Sequence, residues 1–389
     1  MSDCNKIYLD YAATTPVDDR VISKMMPYFN QKFGNSMGIC SFGQEANKAL
    51  EDARTTMSKF INGKNGRVIF TSSATESNNL ALKGVFGANQ NQGKSEIIVS
   101  KVEHDCVLNS AKYLENKGYK LKYAPVDEFG IIKLDELKKL ITQKTLIVSI
   151  MHANNEVGSI NPIAEIGKIC RQNQALFHTD AAQSFGKENI DVEKMGIDML
   201  TTSSHKAYGP KGAAFLWVRN GVSIEPIIHG GGQEFGLRSS TVNVPAIVGF
   251  SEATKIAYKE MKKEDIRLKK LRDKIFDFIL KEIPNSKING HVSKRLANNI
   301  NASFKGIEGE SIMMLLDMNG LSVSTGSACS SNKLEPSHVL VGMGLDPKYA
   351  QSAIRISLGR FTKSGDVEYL LETLKEVVQN LRKISPFSK

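Results

Sequence analysis

The order of apolar runs predicts an α/β protein: a mainly parallel seven-stranded sheet with helices on both faces, plus a smaller α+β domain. Three observations carry this. Between residues 67 and 218 the strand-like runs are continuously apolar rather than alternating, as strands buried on both faces must be. Helix-periodic segments separate these runs, which points to parallel crossovers. The chain, at 389 residues, is also longer than one hydrophobic core usually serves.

The elements follow in order. Ile7 to Pro16 is a short extended entry segment, and Asp19 to Phe29 is helix-like. Residues 33–43, rich in Gly and Ser, read as loop. A helix comes next, with Ala46, Ala49, Leu50, Ala53, Met57, Phe60 and Ile61 on one face and Gly63 as its expected stop. Strands are predicted at Arg67–Thr71, Glu96–Ser100, Lys120–Ala124, Thr145–Ile150, Ala175–Thr179, Ile197–Thr202 and Ala213–Val218. Helices are predicted at Ser77–Phe86, Cys106–Lys117, Leu134–Leu140 and Ile163–Gln172. Ala246 to Ile283 reads as one or two long helices with Leu268, Leu271, Ile275 and Ile279 on a shared face. Beyond it come strands near Asn299–Phe304, Leu321–Thr325 and Ala353–Leu358, and a helix Glu310–Met318. A final helix runs from Ser364, its expected N-cap, to Ile384. The expected division is a large domain over 16–260 and a small domain made of 1–15 and 261–389.

Hydrophobic residues at 41% and charged ones at 24% fit a soluble globular protein. The net charge of +10 comes without a basic block interleaved with aromatics, so direct nucleic-acid binding is not expected. Cys4, Cys40, Cys106, Cys170 and Cys329 are scattered and form no CxxC pair. That argues against a zinc site or a disulfide framework and for a reducing compartment. No apolar signal core and no membrane-length window is present, so a cytoplasmic protein with no membrane contact is expected. No resident metal is expected.

In an open α/β sheet, ligands bind beyond the carboxyl ends of the strands. Four features fall there. Ile69-Phe-Thr-Ser-Ser-Ala-Thr-Glu-Ser77 passes from strand to helix through small hydroxyl residues, and its free amides suit an anion such as phosphate. His104 ends the strand Ile97-Ile-Val-Ser and could stack on a flat ring or move a proton. Asp180 ends Leu176-Phe-His-Thr, where a carboxylate needs a partner such as a protonated ring nitrogen. Lys206 follows Ser203, Ser204 and His205 and suits attack on an aldehyde. An aspartate for a pyridinium, a lysine for an aldehyde and a helix terminus for a phosphate are together the requirements of pyridoxal 5'-phosphate. Taken singly, each residue has a plainer reading as a cap, a structural histidine or a surface lysine.

The motifs also carry a resemblance. Ser73-Ala-Thr-Glu-Ser-Asn-Asn, Glu103-His104, His152-Ala-Asn-Asn-Glu-Val-Gly158, His178-Thr-Asp-Ala-Ala-Gln183, Ser203-Ser-His-Lys206, His229-Gly-Gly-Gly-Gln-Glu234 and Arg238-Ser-Ser-Thr241 resemble the cysteine desulfurases of the IscS/NifS type, in order and nearly end to end. The resemblance implies a fold-type I pyridoxal-phosphate homodimer of the class V aminotransferase family. Lys206 is then the Schiff-base lysine, Asp180 the partner of the ring nitrogen, and Gln183 that of the ring oxygen. His104 stacks on the ring and Asn155 lies alongside. Ala74, Thr75, Ser203 and His205 hold the phosphate, and Thr241 reaches the phosphate of the neighbouring subunit. Asn35 and Arg355 grip the carboxylate of L-cysteine. Cys329, in Ser324-Thr-Gly-Ser-Ala-Cys-Ser-Ser331, is the persulfide-forming residue on an exposed loop of the long-loop class.

The implied activity is removal of sulfur from L-cysteine. The sulfur passes to an iron–sulfur scaffold protein or to a tRNA or cofactor thiolation system, with Cys329 a candidate transient cluster ligand. The alternative on the same fold is a selenocysteine lyase or another small lyase or aminotransferase. The Cys329 loop favours the desulfurase, because transamination has no use for it. Cys40 stands where many relatives have His, Met37 follows Asn35-Ser36 in place of the usual Asn-Pro, and Ser73 and Ser240 replace common glycines. Cys4, Cys106 and Cys170 are expected to be structural.

Overall fold

The computed structural model describes residues 6–90, 93–325 and 336–386. The chain enters through β1 (Ile7–Tyr8), α1 (Asp19–Met25) and α2 (Pro27–Asn30). The single helix expected over 19–29 is two, because Pro27 has no N–H with which to continue the ladder. Next is α3 (Ser41–Phe60). Its stop differs from expectation: Asn62 takes the left-handed conformation, φ 53°. Gly63 serves a close approach instead, since a Cβ there would lie 2.6 Å from Trp217 Nε1.

Crossovers then alternate: β2 (Gly66–Thr71), α4 (Ala74–Ala88), β3 (Glu96–Ser100), α5 (Asp105–Asn116), β4 (Lys120–Ala124), α6 (Leu134–Leu140), β5 (Thr145–Ser149), α7 (Ile163–Gln172), β6 (Leu176–Asp180), β7 (Met199–Ser203) and β8 (Ala214–Arg219). These strands form one sheet in the order β2-β8-β7-β6-β5-β3-β4, and only β8 runs against the rest. Alternate side chains enter two cores. Phe70, Ile98, Val148, Phe177 and Trp217 pack on one face. Ile69, Ile97, Val99, Ile147, Met199 and Leu216 pack on the other. Two-sided burial is why the runs read as continuous rather than alternating.

α8 (Val244–Glu282) is a single helix of 39 residues. Its first part gives Ala246, Ile247 and Phe250 to the sheet core, and its last part gives Leu268, Ile275 and Ile279 to a separate core. That second core also takes side chains from β9 (Ser286–Ile288), β10 (Asn299–Phe304), α9 (Gly309–Met318) and β11 (Leu321–Ser322). α10 (His338–Gly342) and α11 (Pro347–Gln351) instead send Val339, Leu340 and Ala350 into the sheet core. β12 (Ala353–Ser357) pairs antiparallel with β10, which pairs with β9. β11 is shorter than the strand expected over 321–325 and lies parallel to β1. α12 (Ser364–Ile384) closes the chain with Leu370, Leu371 and Leu374 inward. Its N-cap is Lys363 rather than Ser364, and Asp366 accepts the Lys363 backbone N–H at 2.8 Å.

Two glycines distinguish close packing from open surface. A Cβ on Gly167 would meet the Met195 carbonyl oxygen at 2.1 Å, while one on Gly365 meets nothing within 4 Å. Gly167→Ala is expected to cost about 1–3 kcal/mol, and Gly365→Ala to stabilise by about 0.5–1 kcal/mol. Urea unfolding midpoints of the two variants check both, and equal midpoints would contradict the packing described.

Candidate active site

Six of the seven sheet strands point their carboxyl ends to the same edge, and a cavity of about 310 Å³ opens there. Each strand exit delivers one part of it. From β2, the chain turns into α4, and Ala74 and Thr75 in the first helical turn line the cavity. Ser73 is the N-cap, its hydroxyl accepting from Glu76 N at 3.1 Å. From β3 comes His104, the N-cap of α5. From β5 comes the loop with Met151, Ala153 and Asn155. β6 ends in Asp180, followed by Gln183, and β7 ends in Ser203, followed by a 3₁₀ turn of Ser204–Lys206. Arg355, on β12, closes the cavity from the second core's side.

Asp180 is almost fully buried, at 7% exposure. Its Oδ1 accepts from Ala182 N at 2.8 Å and its Oδ2 from Asn78 Nδ2 at 2.6 Å. Both donors are neutral. Lys206 Nζ donates to the carbonyls of Ala12 at 2.6 Å and Ala13 at 2.5 Å. The entry segment is therefore part of the site. Gln183 donates to the same Ala12 carbonyl at 2.9 Å. Arg355 is held by Asp10 Oδ1 at 2.8 Å and the Asn155 carbonyl at 3.0 Å, while its buried Nε has no hydrogen-bond partner. Asn155 Oδ1 is likewise buried and unpartnered.

Burial sets the local charge. The His205 imidazole is held down at about 4 by burial and by the ammonium groups of Lys206, Lys211 and Lys187. Lys187, which donates to the Gln183 carbonyl at 2.9 Å, is lowered to about 7 by burial and by Lys206. Glu103 is fully buried, and burial with Asp180 nearby pushes its carboxyl well up. His178 is not a cavity residue: it is buried inside the sheet between Ser149 Oγ at 2.8 Å and Thr201 Oγ1 at 3.1 Å.

The structure thus brings together Ala74, Thr75, His104, Asn155, Asp180, Gln183, Ser203, His205, Lys206 and Arg355 at one cavity. It does not bring Asn35 there. Asn35 is exposed, and its side chain accepts from Met37 N at 3.0 Å within its own loop. Thr241 is also exposed. Cys329 lies outside the described residues, as does Cys4. Cys170 is a core residue with its thiol pushed well up by burial. Cys106 departs from expectation, because it lines the cavity. Sequence reading also missed Asn78, Ala12 and Ala13. A signal existed for Asn78: it is a polar residue on the buried side of α4, beside Ala81, Leu82 and Val85.

A family model described as aminotransferase class-V matches residues 7–370. A relative from Archaeoglobus fulgidus, named cysteine desulfurase IscS 1, is 50% identical over 97% of this chain and 98% of its own. One from Dictyoglomus turgidum, named cysteine desulfurase IscS, is 47% identical over 99% of this chain and 97% of its own. Among solved structures, a NifS-like protein superposes with a TM-score of 0.90 at 40% identity, covering 97% of this chain and all of its own. SspA, solved in complex with cysteine, superposes at 0.80 with 34% identity, covering 92% of this chain and all of its own. The chain belongs to the class-V aminotransferase family.

Burial holds His178 at about 3 and His152 and His205 at about 4. The unfolded chain protonates its histidines below about 6.5. Between there and the folded values the unfolded state binds more protons, so stability falls as pH is lowered through that window. Replacing His178 removes one such proton. His178→Gln is expected to flatten the fall between pH 6 and 4 by about 1 kcal/mol per pH unit. Unfolding free energies of both proteins measured across that range test this, and parallel curves would refute it.

Proposed function

We propose that this member of the class-V aminotransferase family is a cysteine desulfurase that converts L-cysteine to L-alanine and leaves the sulfur as a persulfide on Cys329. The observation that carries the reading is the meeting at one cavity of a buried carboxylate whose described hydrogen bonds come from neutral donors, a lysine and the first turn of a helix. The relatives' names and the cysteine-bound SspA support the substrate.

The cavity fits pyridoxal phosphate. Asp180 is buried without a cationic partner among its described hydrogen bonds, and a pyridinium N–H would balance it. The first turn of α4, with Ser203 and His205, would hold the phosphate. Lys206 would hold the aldehyde carbon. When bound, the cofactor supplies an electron sink for a carbanion next to the substrate nitrogen. The chain's own residues supply the remainder. Lys206 and His104 are the groups placed to take and return protons. Arg355, already oriented by Asp10 and Asn155, lines the cavity and would meet the substrate carboxylate. Gln183 and Asn155 would hold the cofactor's ring. The Cys329 thiolate attacks the substrate sulfur, and the carbon–sulfur bond breaks with its electron pair left on carbon. Carbon gains a proton there, so a thiol and cysteine become a persulfide and alanine in balance. An iron–sulfur scaffold or another thiol acceptor takes the sulfur.

The working form is a homodimer. Phe33, Met37, Ile39 and Phe42 are 51–93% exposed on the loop that carries Asn35 and the start of α3, and contiguous exposed apolar surface of this kind marks an interface. In the partner's site, Asn35 would meet the substrate carboxylate and Thr241 the phosphate. The nearby segment holds Glu234 at φ 47° and Phe235 at φ 62°, backbone strain that functional loops retain. We assign residues 16–260 to a large domain and 1–15 with 261–389 to a small one, and we place the protein in the cytoplasm because Cys40, Cys106 and Cys170 are free thiols.

Sulfide and alanine released from L-cysteine, with pyridoxal phosphate present, test the activity. Wild type should yield both, Lys206→Ala neither, and Cys329→Ser less than a hundredth of the sulfur release, about the loss of a nucleophile. Wild-type rates in Lys206→Ala would defeat the assignment. For the dimer, Phe33→Asp with Ile39→Asp should give monomers in sedimentation, with activity falling at least about tenfold. An unchanged dimer would remove this face from the interface.

A further inference from the structure

Cys106 touches two groups that bear on the cavity. Its Sγ lies 3.1 Å from Asn78 Nδ2 and 3.1 Å from His104 Nδ1, and its backbone N–H donates to the same Nδ1 at 3.2 Å. Asn78 is fully buried and also reaches Asp180 Oδ2 at 2.6 Å.

The hydrogens in this chain have one consistent arrangement. A carboxylate oxygen accepts only, so Asn78 must turn its NH₂ toward Asp180. Its Oδ1 then points elsewhere and has no partner. One amide hydrogen goes to Asp180, and the other is directed at Sγ, which therefore accepts. The thiol hydrogen is left for His104 Nδ1, whose one lone pair it shares with the Cys106 backbone N–H. The backbone N–H of Cys106 converges on that same nitrogen, so Nδ1 acts as an acceptor and the neutral ring carries its proton on Nε2.

We propose that Cys106 is a positioning residue: its backbone N–H holds the His104 imidazole with its proton on Nε2, and its thiol joins Asn78 to His104, restrains the ring and ties it to the carboxylate of Asp180. A ring so held keeps one orientation over the cavity and presents a defined N–H. The two residues read as the ring-stacking and ring-nitrogen contacts of the cofactor are then braced against each other rather than separately. The link runs across the α4–α5 contact, so neither helix alone could supply it. The inference rests on reading the cavity as a pyridoxal-phosphate site only in its consequence for the cofactor; the hydrogen-bond chain itself does not depend on that reading.

Three variants separate bonding from packing. Cys106→Ser keeps a donor and an acceptor, Cys106→Ala removes both, and Cys106→Val fills the space without either. The first readout is ¹⁵N NMR of histidine-labelled protein, as purified and after addition of pyridoxal phosphate. All four proteins keep the backbone N–H and should show His104 as the Nε2–H tautomer, but its ring resonances should be sharp in wild type and Cys106→Ser and broadened by ring motion in Cys106→Ala and Cys106→Val. The second is the rate at which the loaded protein loses pyridoxal phosphate on dilution, expected to rise about threefold to tenfold in Ala and Val but not in Ser, the range of one neutral hydrogen bond. Identical His104 line widths in all four proteins, or Ser grouping with Ala, would overturn the proposal. If no variant, wild type included, retains pyridoxal phosphate, the cofactor reading fails while the line-width result still decides the role of Cys106.

Discussion

The organising constraint of this molecule is the carboxylate of Asp180. It sits at the end of a central parallel strand, almost out of water, with hydrogen bonds from two neutral donors. A charge in such a place is expensive unless something balances it. The surroundings do so only in part: Ala182 N–H and Asn78 stabilise the anion by hydrogen bonds, and the side facing the cavity is left for a cation to come. The sheet makes the position possible. β6 lies in the middle of seven strands, so Asp180 is reached from the flanking strand exits on both sides.

That position propagates outward through shared partners. Asn78 reaches Asp180 from α4, the same helix whose first turn opens the anion site. Lys206 leaves the neighbouring strand and is steered by the carbonyls of Ala12 and Ala13, which come from the other end of the sequence. Arg355 arrives from the second core and is steered by Asp10 of the same entry segment. Residues 10–13 thus link the two halves of the site. α8 provides the rigid connection, since one unbroken helix packs into both cores.

Much of this was legible in sequence because it follows from local pattern. Glu96–Ser100, Lys120–Ala124, Leu134–Leu140 and Ile163–Gln172 form where their apolar spacing and flanking turns put them. The residues at strand exits meet because parallel strands must bring their carboxyl ends together. What was not legible depends on partners distant in sequence or on backbone detail. No spacing rule links Lys206 to Ala12, 194 residues away. Gly63 looked like a helix stop because glycine usually is one, yet its place is dictated by the Trp217 indole, whose Nε1 donates to the Gly63 carbonyl at 2.9 Å. Cys106 looked like a packing residue because a lone cysteine usually is; its meaning appears only when α4 and α5 are laid side by side. Asn35 stays outside the cavity, its side chain turned to Met37 N within its own loop, which no local pattern announced.

The site's charge distribution follows from the same burial. His205 is held neutral at ordinary pH by burial and the nearby ammonium groups, and Lys187 is brought to about 7. Each cation in this region therefore disfavours the next, and a group that can shed its proton at modest cost is the one that relieves the crowding. On the opposite side, Glu103 is driven toward its neutral form by burial and by Asp180. Asp180 is thus a buried carboxylate whose described hydrogen bonds come from neutral donors, and burial suppresses charge at Glu103 and His205 around it. A pocket arranged in this way favours a ligand that is cationic at one edge and anionic at the helix N-terminus, and it offers a lysine between the two. Those three features lie on one flat molecule only if the strand spacing separates them correctly. That is why the geometry of the sheet, more than any single residue, decides what this site can bind.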